Sequence, residues 1–131
     1  MNKLLLISPP EKQTLLEAGD RPNTGLLYVA SASQKAGFDT MISDLNHDSY
    51  HTLKNKIETF KPTHIGMTTT TPYFNWTTNY AKYLRSTYPN IQLIAGGPHA
   101  TADPESLKKY FDTIVIGEGE TAIGEILRGN K

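Results

Sequence analysis

Five short apolar runs, separated by amphipathic stretches long enough to cross a sheet, constrain this chain more than any other feature. The runs are "KLLLIS" (3–8), "FDTMISDL" (38–45), "HIGMTTT" (64–70), "IQLIAGG" (91–97) and "TIVIGEG" (113–119). Their length and their flanking Gly, Pro and Asp read as strands rather than helices. The intervening segments carry helical spacing. In 25–36, Leu26, Leu27, Val29, Ala30 and Ala36 share a face; in 50–60, Leu53, Ile57 and Phe60 do so. In 73–88 the face is Phe74, Tyr80, Ala81, Leu84 and Tyr88. Asp103-Pro104 predicts an N-cap followed by proline at the first helical position, hence a short helix over 104–110. A last helix at about 120–128 would bury Ala122, Ile123, Ile126 and Leu127.

Five strands alternating with helices imply an α/β fold, with a parallel sheet covered on both faces. Right-handed crossovers favour the strand order 2-1-3-4-5, a flavodoxin-like (Rossmann-like) three-layer sandwich. The 131 residues suffice for one core, so 1–131 reads as one domain. The longest loop, 9–24, is expected to be the most flexible or functional stretch.

Several function classes fall away on composition. Thirteen basic residues balance thirteen acidic ones, which removes the electrostatic case for nucleic acid or an anionic membrane as main partner. The chain has no cysteine, so it can supply neither a thiolate metal site nor a cysteine nucleophile. The apolar run in "MNKLLLISPP" is too short for a signal or membrane-spanning segment, so a soluble, cytoplasmic protein is expected.

Ligands of open parallel sheets bind beyond the carboxyl ends of the strands. The loops there are Ser8-Pro9-Pro10 with Asn23-Thr24-Gly25, "DLNHDSY" (44–50), "TTTTPY" (68–73), "GGPHAT" (96–101) and "GEGE" (117–120). Glycine lets backbone approach a ligand, and threonine hydroxyls both donate and accept. The set reads as a binding platform rather than an acid–base machine, and no residue stands out as catalytic. Familiar nucleotide motifs do not fit. No glycine-rich fingerprint or phosphate loop follows the first strand, and no aspartate ends the third. "GEGETA" matches G-x-G-x-x-A but precedes no further strand–helix unit.

Taken in order, "SPP", "NTGLLYVAS", "D-L-N-H", "GMTTTT", "AGGPHAT" and "D-T-I-V-I-GEGE" resemble the N-terminal cobalamin-binding domain of cobalamin-dependent radical SAM enzymes. The resemblance implies a corrin across the strand ends and a dimethylbenzimidazole tail between the sheet and a helix. It implies cofactor contacts at Pro9, Asn23, Thr24, Gly25, Asn46, Thr68, Thr69, Thr70 and Thr71. Further contacts would come from Gly96, Gly97, Pro98, His99, Gly117, Glu118, Gly119 and Glu120. Gly96 and Gly97 would let the tail pass, with His99 a rim contact. Such a module does not catalyse alone. A radical SAM barrel of the same parent chain, with its 4Fe-4S cluster and S-adenosylmethionine, would carry the methyl transfer or related chemistry, making this chain a fragment or a stand-alone relative.

Related cobalamin domains place the cobalt-ligating histidine in D-x-H-x-x-G. Aligned on Asp44, this chain has Asn46 at the histidine and Ser49 at the glycine, with His47 one residue late. Many radical SAM relatives lack that histidine and bind cobalamin base-off with no protein nitrogen on cobalt, and the resemblance implies the same here; no metal ligand is assigned, with His47 kept as the alternative cobalt ligand. Two other readings stay open at this stage. One is a flavodoxin-like domain binding a flavin or adenine cofactor; the other is an interaction domain that binds no ligand. Plainer roles also exist for single residues: tight turns for the glycines, a surface or capping position for His99, β-propensity for the threonines. The aromatic residues Tyr73, Phe74, Trp76, Tyr80 and Tyr83 span more than one helix face, part for core and part for a partner domain.

Overall fold

β1 (Lys3–Ser8) and β3 (His64–Thr68) take the centre of the sheet because both are apolar on alternate sides and buried along nearly their whole length. The computed structural model describes residues 2–10, 24–117 and 119–129; the long loop after β1 lies outside them. β2 (Asp39–Asp44), β4 (Gln92–Gly96) and β5 (Thr113–Ile114) complete a five-stranded sheet, every pairing parallel, in the order β2-β1-β3-β4-β5. This is the expected doubly wound topology. The helices are α1 (Thr24–Lys35), α2 (Tyr50–Phe60), α3 (Phe74–Thr87), α4 (Pro98–Ala102) and α5 (Gly119–Leu127).

The register sorts side chains between two cores. Leu5, Ile7, Ile65, Met67, Leu93 and Ala95 enter a core with Leu53 and Ile57 of α2, Ala81 and Leu84 of α3, and Leu107 and Phe111. Leu4, Leu6 and Ile94 enter a smaller one with Leu26 and Ala30 of α1 and Ile123 and Leu127 of α5. A fully buried leucine such as Leu5 or Leu53 contributes about 2 kcal/mol.

α2 begins where sequence places it, because the Ser49 side chain accepts from the Thr52 N–H. It ends at Lys61, whose positive φ of 55° and following Pro62 stop the helix.

Three local expectations need correction. The helix expected over 104–110 is instead α4 over Pro98–Ala102 followed by a 3-10 turn over Pro104–Leu107. Pro98 starts the first piece, and Asp103 must be extended because it precedes a proline, so the helix breaks there. The Asp103 side chain makes no capping bond. β5 pairs over only Thr113–Ile114, as an edge strand with one neighbour. In α3 the buried positions are Thr77, Thr78, Ala81 and Leu84, while Phe74, Tyr80 and Tyr88 are half-buried at the core margin. Among the described residues, no helix is long and apolar enough to cross a membrane.

Candidate functional site

At the carboxyl ends of the strands, the register aligns Asp44 with Ser8 and Thr68 with Gly96, and Ser8 follows Ile7, the partner of Met67. These four residues form the last row on the α1/α5 face. They are a carboxylate, two hydroxyls and a bare backbone where the row beneath carries Ile42, Leu6 and Ile94 around Gly66. Ser8 belongs to a strand-end loop named from sequence but was not among the expected contacts; the signal was a serine closing an otherwise apolar buried strand. Pro9 follows it, fully buried.

The loops after β3 and β4 are joined into one unit. The Thr69 N–H donates to the Gly96 carbonyl (2.7 Å), and the Thr69 hydroxyl donates to the same oxygen (2.6 Å). That hydroxyl accepts from the Ala100 N–H (3.0 Å), and the Thr69 carbonyl accepts from the His99 N–H (2.9 Å). The unit extends to the next loop, where the Gly117 N–H donates to the Thr101 hydroxyl (3.0 Å).

The two glycines expected to act alike do not. Gly97 has φ +97°, and a Cβ there would lie 2.8 Å from Thr68 Oγ1 and 2.9 Å from the Thr69 backbone. Its bareness is required by the protein's own packing. Gly96 has ordinary strand backbone, and a Cβ there would meet only the Val115 Cβ at 4.0 Å. Among the described residues, nothing demands glycine at 96.

His99 is enclosed rather than at a rim: it is 9% exposed, with its ring 4.8 Å from that of Phe74. Nδ1 bonds the Thr71 hydroxyl (3.0 Å) and Nε2 the Ser106 hydroxyl (2.8 Å), so both ring nitrogens are engaged by the protein. Pro98, beside it, is exposed at the start of α4. Of the four threonines, Thr70 has a hydroxyl oxygen buried without a hydrogen-bond partner among the described residues.

The loop after β2 is organised by Asp44. Its Oδ1 accepts from the Asn46 N–H (2.9 Å) and from Asn46 Nδ2 (3.0 Å), fixing an exposed carboxamide. His47 is exposed on the same turn. Asp48 accepts from Lys56 Nζ (2.6 Å) and from the Ser43 hydroxyl (2.8 Å). Burial pushes its carboxyl up, but these bonds and the nearby positive charge of Lys56 pull it further down, so it sits below the usual range. Among the described residues, no three His, Asp or Glu side chains gather to hold a metal ion.

Of the remaining expected contacts, Asn23 and Glu118 lie outside the described residues. Thr24 and Gly25 fall in the first turn of α1, and Gly119 and Glu120 in the first turn of α5. The aromatic residues run along the α2/α3 side, with Trp76 stacked on Tyr80 (5.2 Å, 5°) and bonded to the Tyr50 hydroxyl (2.8 Å).

A doubly wound sheet whose strand ends carry a polar, glycine-ended row belongs to the flavodoxin-like class of α/β folds. The polar row on the α1/α5 face and the unfilled Cβ position at Gly96 fit a cofactor with hydrogen-bonding edges. A family model described as a B12 binding domain matches residues 17–127, and the chain belongs to that family. It is 29% identical over 131 residues to an uncharacterised methyltransferase of Pyrococcus horikoshii, covering 95% of this chain and 28% of that protein. It is 32% identical over 112 residues to the anaerobic magnesium-protoporphyrin IX monomethyl ester cyclase of Rubrivivax gelatinosus, covering 79% of this chain and 20% of that protein. The chain thus spans well under a third of these relatives' length. Its fold matches the cobalamin-dependent S-adenosylmethionine radical enzyme OxsB, solved with aqua-cobalamin and S-adenosylmethionine bound. That match has a TM-score of 0.76 at 14% identity over 100% of this chain and 19% of the other.

Proposed function

We propose that this chain binds cobalamin across the carboxyl ends of β1, β3 and β4, with the nucleotide tail entering between the sheet and α1. The observation that carries this reading is Gly96. Glycine costs a strand entropy and packing, and at 96 no atom of the described residues requires it, which supports space for a ligand there. Ser8 and Thr68 would supply hydroxyls along the strand ends, and Gly117 and the first turns of α1 and α5 would flank them.

Asn46 occupies the position of a ligating histidine, and a carboxamide is a poor nitrogen donor to cobalt. With the nucleotide tail between the sheet and α1, the cofactor would be held base-off, without a protein nitrogen on the metal. When bound, cobalamin supplies a cobalt centre able to carry a methyl group. This module's own residues bind, orient and shield it. In line with the larger relatives, the parent protein is a cytoplasmic radical SAM enzyme. Its barrel holds the 4Fe-4S cluster and S-adenosylmethionine and performs the methyl transfer or related radical reaction.

The test is titration with hydroxocobalamin and with cob(II)alamin, followed by visible absorption and electron paramagnetic resonance. Saturable binding and a base-off signal without nitrogen superhyperfine splitting are expected. Asn46→His, with Asp44 in place to orient the ring, should introduce that splitting. Failure to bind either form, alone and with a downstream radical SAM domain attached, overturns the cobalamin reading in favour of a domain that serves protein contacts.

A further inference from the structure

The hydrogen bonds around His99 have a direction. Ser106 has one hydroxyl hydrogen, and it points to the Asp103 carbonyl at 2.8 Å. Toward His99 Nε2, 2.8 Å away, Ser106 must therefore accept, so Nε2 carries a hydrogen. In the neutral ring Nδ1 is then the acceptor, and the Thr71 hydroxyl donates to it across 3.0 Å. The result is a one-way chain: Thr71 to His99, His99 to Ser106, Ser106 to the Asp103 carbonyl. It starts in the loop that ends β3, passes through α4, and ends where α4 gives way to the 3-10 turn.

That chain completes the anchoring begun by Thr69. Thr69 is tied to Gly96, His99 and Ala100 by four bonds, and Thr71 is tied to the His99 ring. Thr70 lies between two anchored neighbours, and the Tyr73 N–H fixes its carbonyl at 3.0 Å. Among the described residues its own hydroxyl oxygen is buried without a hydrogen-bond partner, as is that of Thr77 in α3. Phe74 lies over the imidazole and keeps water off it.

We propose that His99 is a positioning residue: with its hydrogen on Nε2, it pins the Thr68–Thr71 loop, so that this end of β3 is already ordered where the cofactor would lie. This rests on the cobalamin reading for the identity of the ligand, not for the anchoring. His99 then acts on binding without touching the cofactor, through preorganisation that spares the loop's ordering cost at the moment of binding.

Ser106 is the residue to test, because it lies on the far side of His99 from the glycine loop and belongs to none of the expected contacts. In the cofactor-free protein, imidazole nitrogen NMR should find the His99 hydrogen on Nε2 and Nδ1 unprotonated. Ser106→Ala should speed exchange of the Tyr73 and His99 amides, and should weaken cobalamin binding about fivefold, the effect of one neutral hydrogen bond. Ser106→Thr keeps the hydroxyl and should restore both. Thr71→Val cuts the same chain, so the double variant should lose less than the product of the two single losses. A hydrogen found on Nδ1 overturns the proposal. So does a Ser106→Ala protein with unchanged amide exchange and affinity, or a Ser106→Thr protein as impaired as the alanine variant. If the exchange and tautomer results hold while the unaltered chain binds no cobalamin, the anchoring stands and the ligand has been misassigned.

Discussion

The two faces of the sheet are built differently. Toward α2 and α3, the strands present Leu5, Ile7, Ile65, Met67, Leu93 and Ala95, and helix side chains fill the space between them. Toward α1 and α5, the apolar rows stop early, and the last row is Asp44, Ser8, Thr68 and Gly96. One face is finished by apolar packing; the other ends in polar groups and a bare glycine. A sheet can therefore keep its larger apolar core on one side and its polar strand-end row on the other.

Substitutions can break that division of labour. Leu53→Ala, on the filled face, should cost the most, about 3 kcal/mol, because it opens a cavity in a closed core. Chemical denaturation would measure it, and cobalamin affinity well below the midpoint should be unchanged; a parallel loss of affinity would mean the faces are coupled. Gly97→Ala should cost about 2 kcal/mol, since it forces a side chain into a backbone conformation almost confined to glycine and against Thr69. Gly96→Val, one residue away, should leave stability within about 0.5 kcal/mol, because strand propensity favours valine and space is available. It should nevertheless abolish cobalamin binding. Equal destabilisation by the two would show that position 96 also serves packing.

The smallest effect belongs to the opposite end of the sheet. His64 is buried where β3 starts; desolvation pulls its imidazole below the ordinary value, and Asp112 offsets part of that. The unfolded chain then takes up a proton near pH 6.5 that the folded one resists, so stability falls as pH drops through that value toward the lowered native one. His64→Gln should flatten this part of the stability–pH curve. The further loss at lower pH, where Asp48 is protonated, should remain.

Much of the fold was legible because burial on both faces leaves continuous apolar runs, and helix spacing leaves a stripe. Strand order followed from crossover handedness alone. The site was legible only as composition. That Gly97 is needed by Thr69 and Gly96 is not depends on the β3–β4 register, which no local pattern encodes. The burial of His99 depends on Thr71 and Ser106, one of them 28 residues away. The break between α4 and the following turn was misread because Asp103-Pro104 has the composition of a helix start, while the proline's constraint on Asp103 acts to end the helix before it.

The small core beside the polar strand-end row has a consequence for how the molecule assembles. Ala36, just past α1, lies 3.5 Å from where a side chain on Gly124 of α5 would begin, although the two are far apart along the chain. Closing that contact means closing a long loop, whereas β3, α3 and β4 on the filled side pair with near neighbours. The filled side can gather first, and the α1/α5 side beside that row is the last part of the domain to arrive. A cofactor present during refolding would then act late, capturing a nearly complete domain, and should slow unfolding more than it speeds folding.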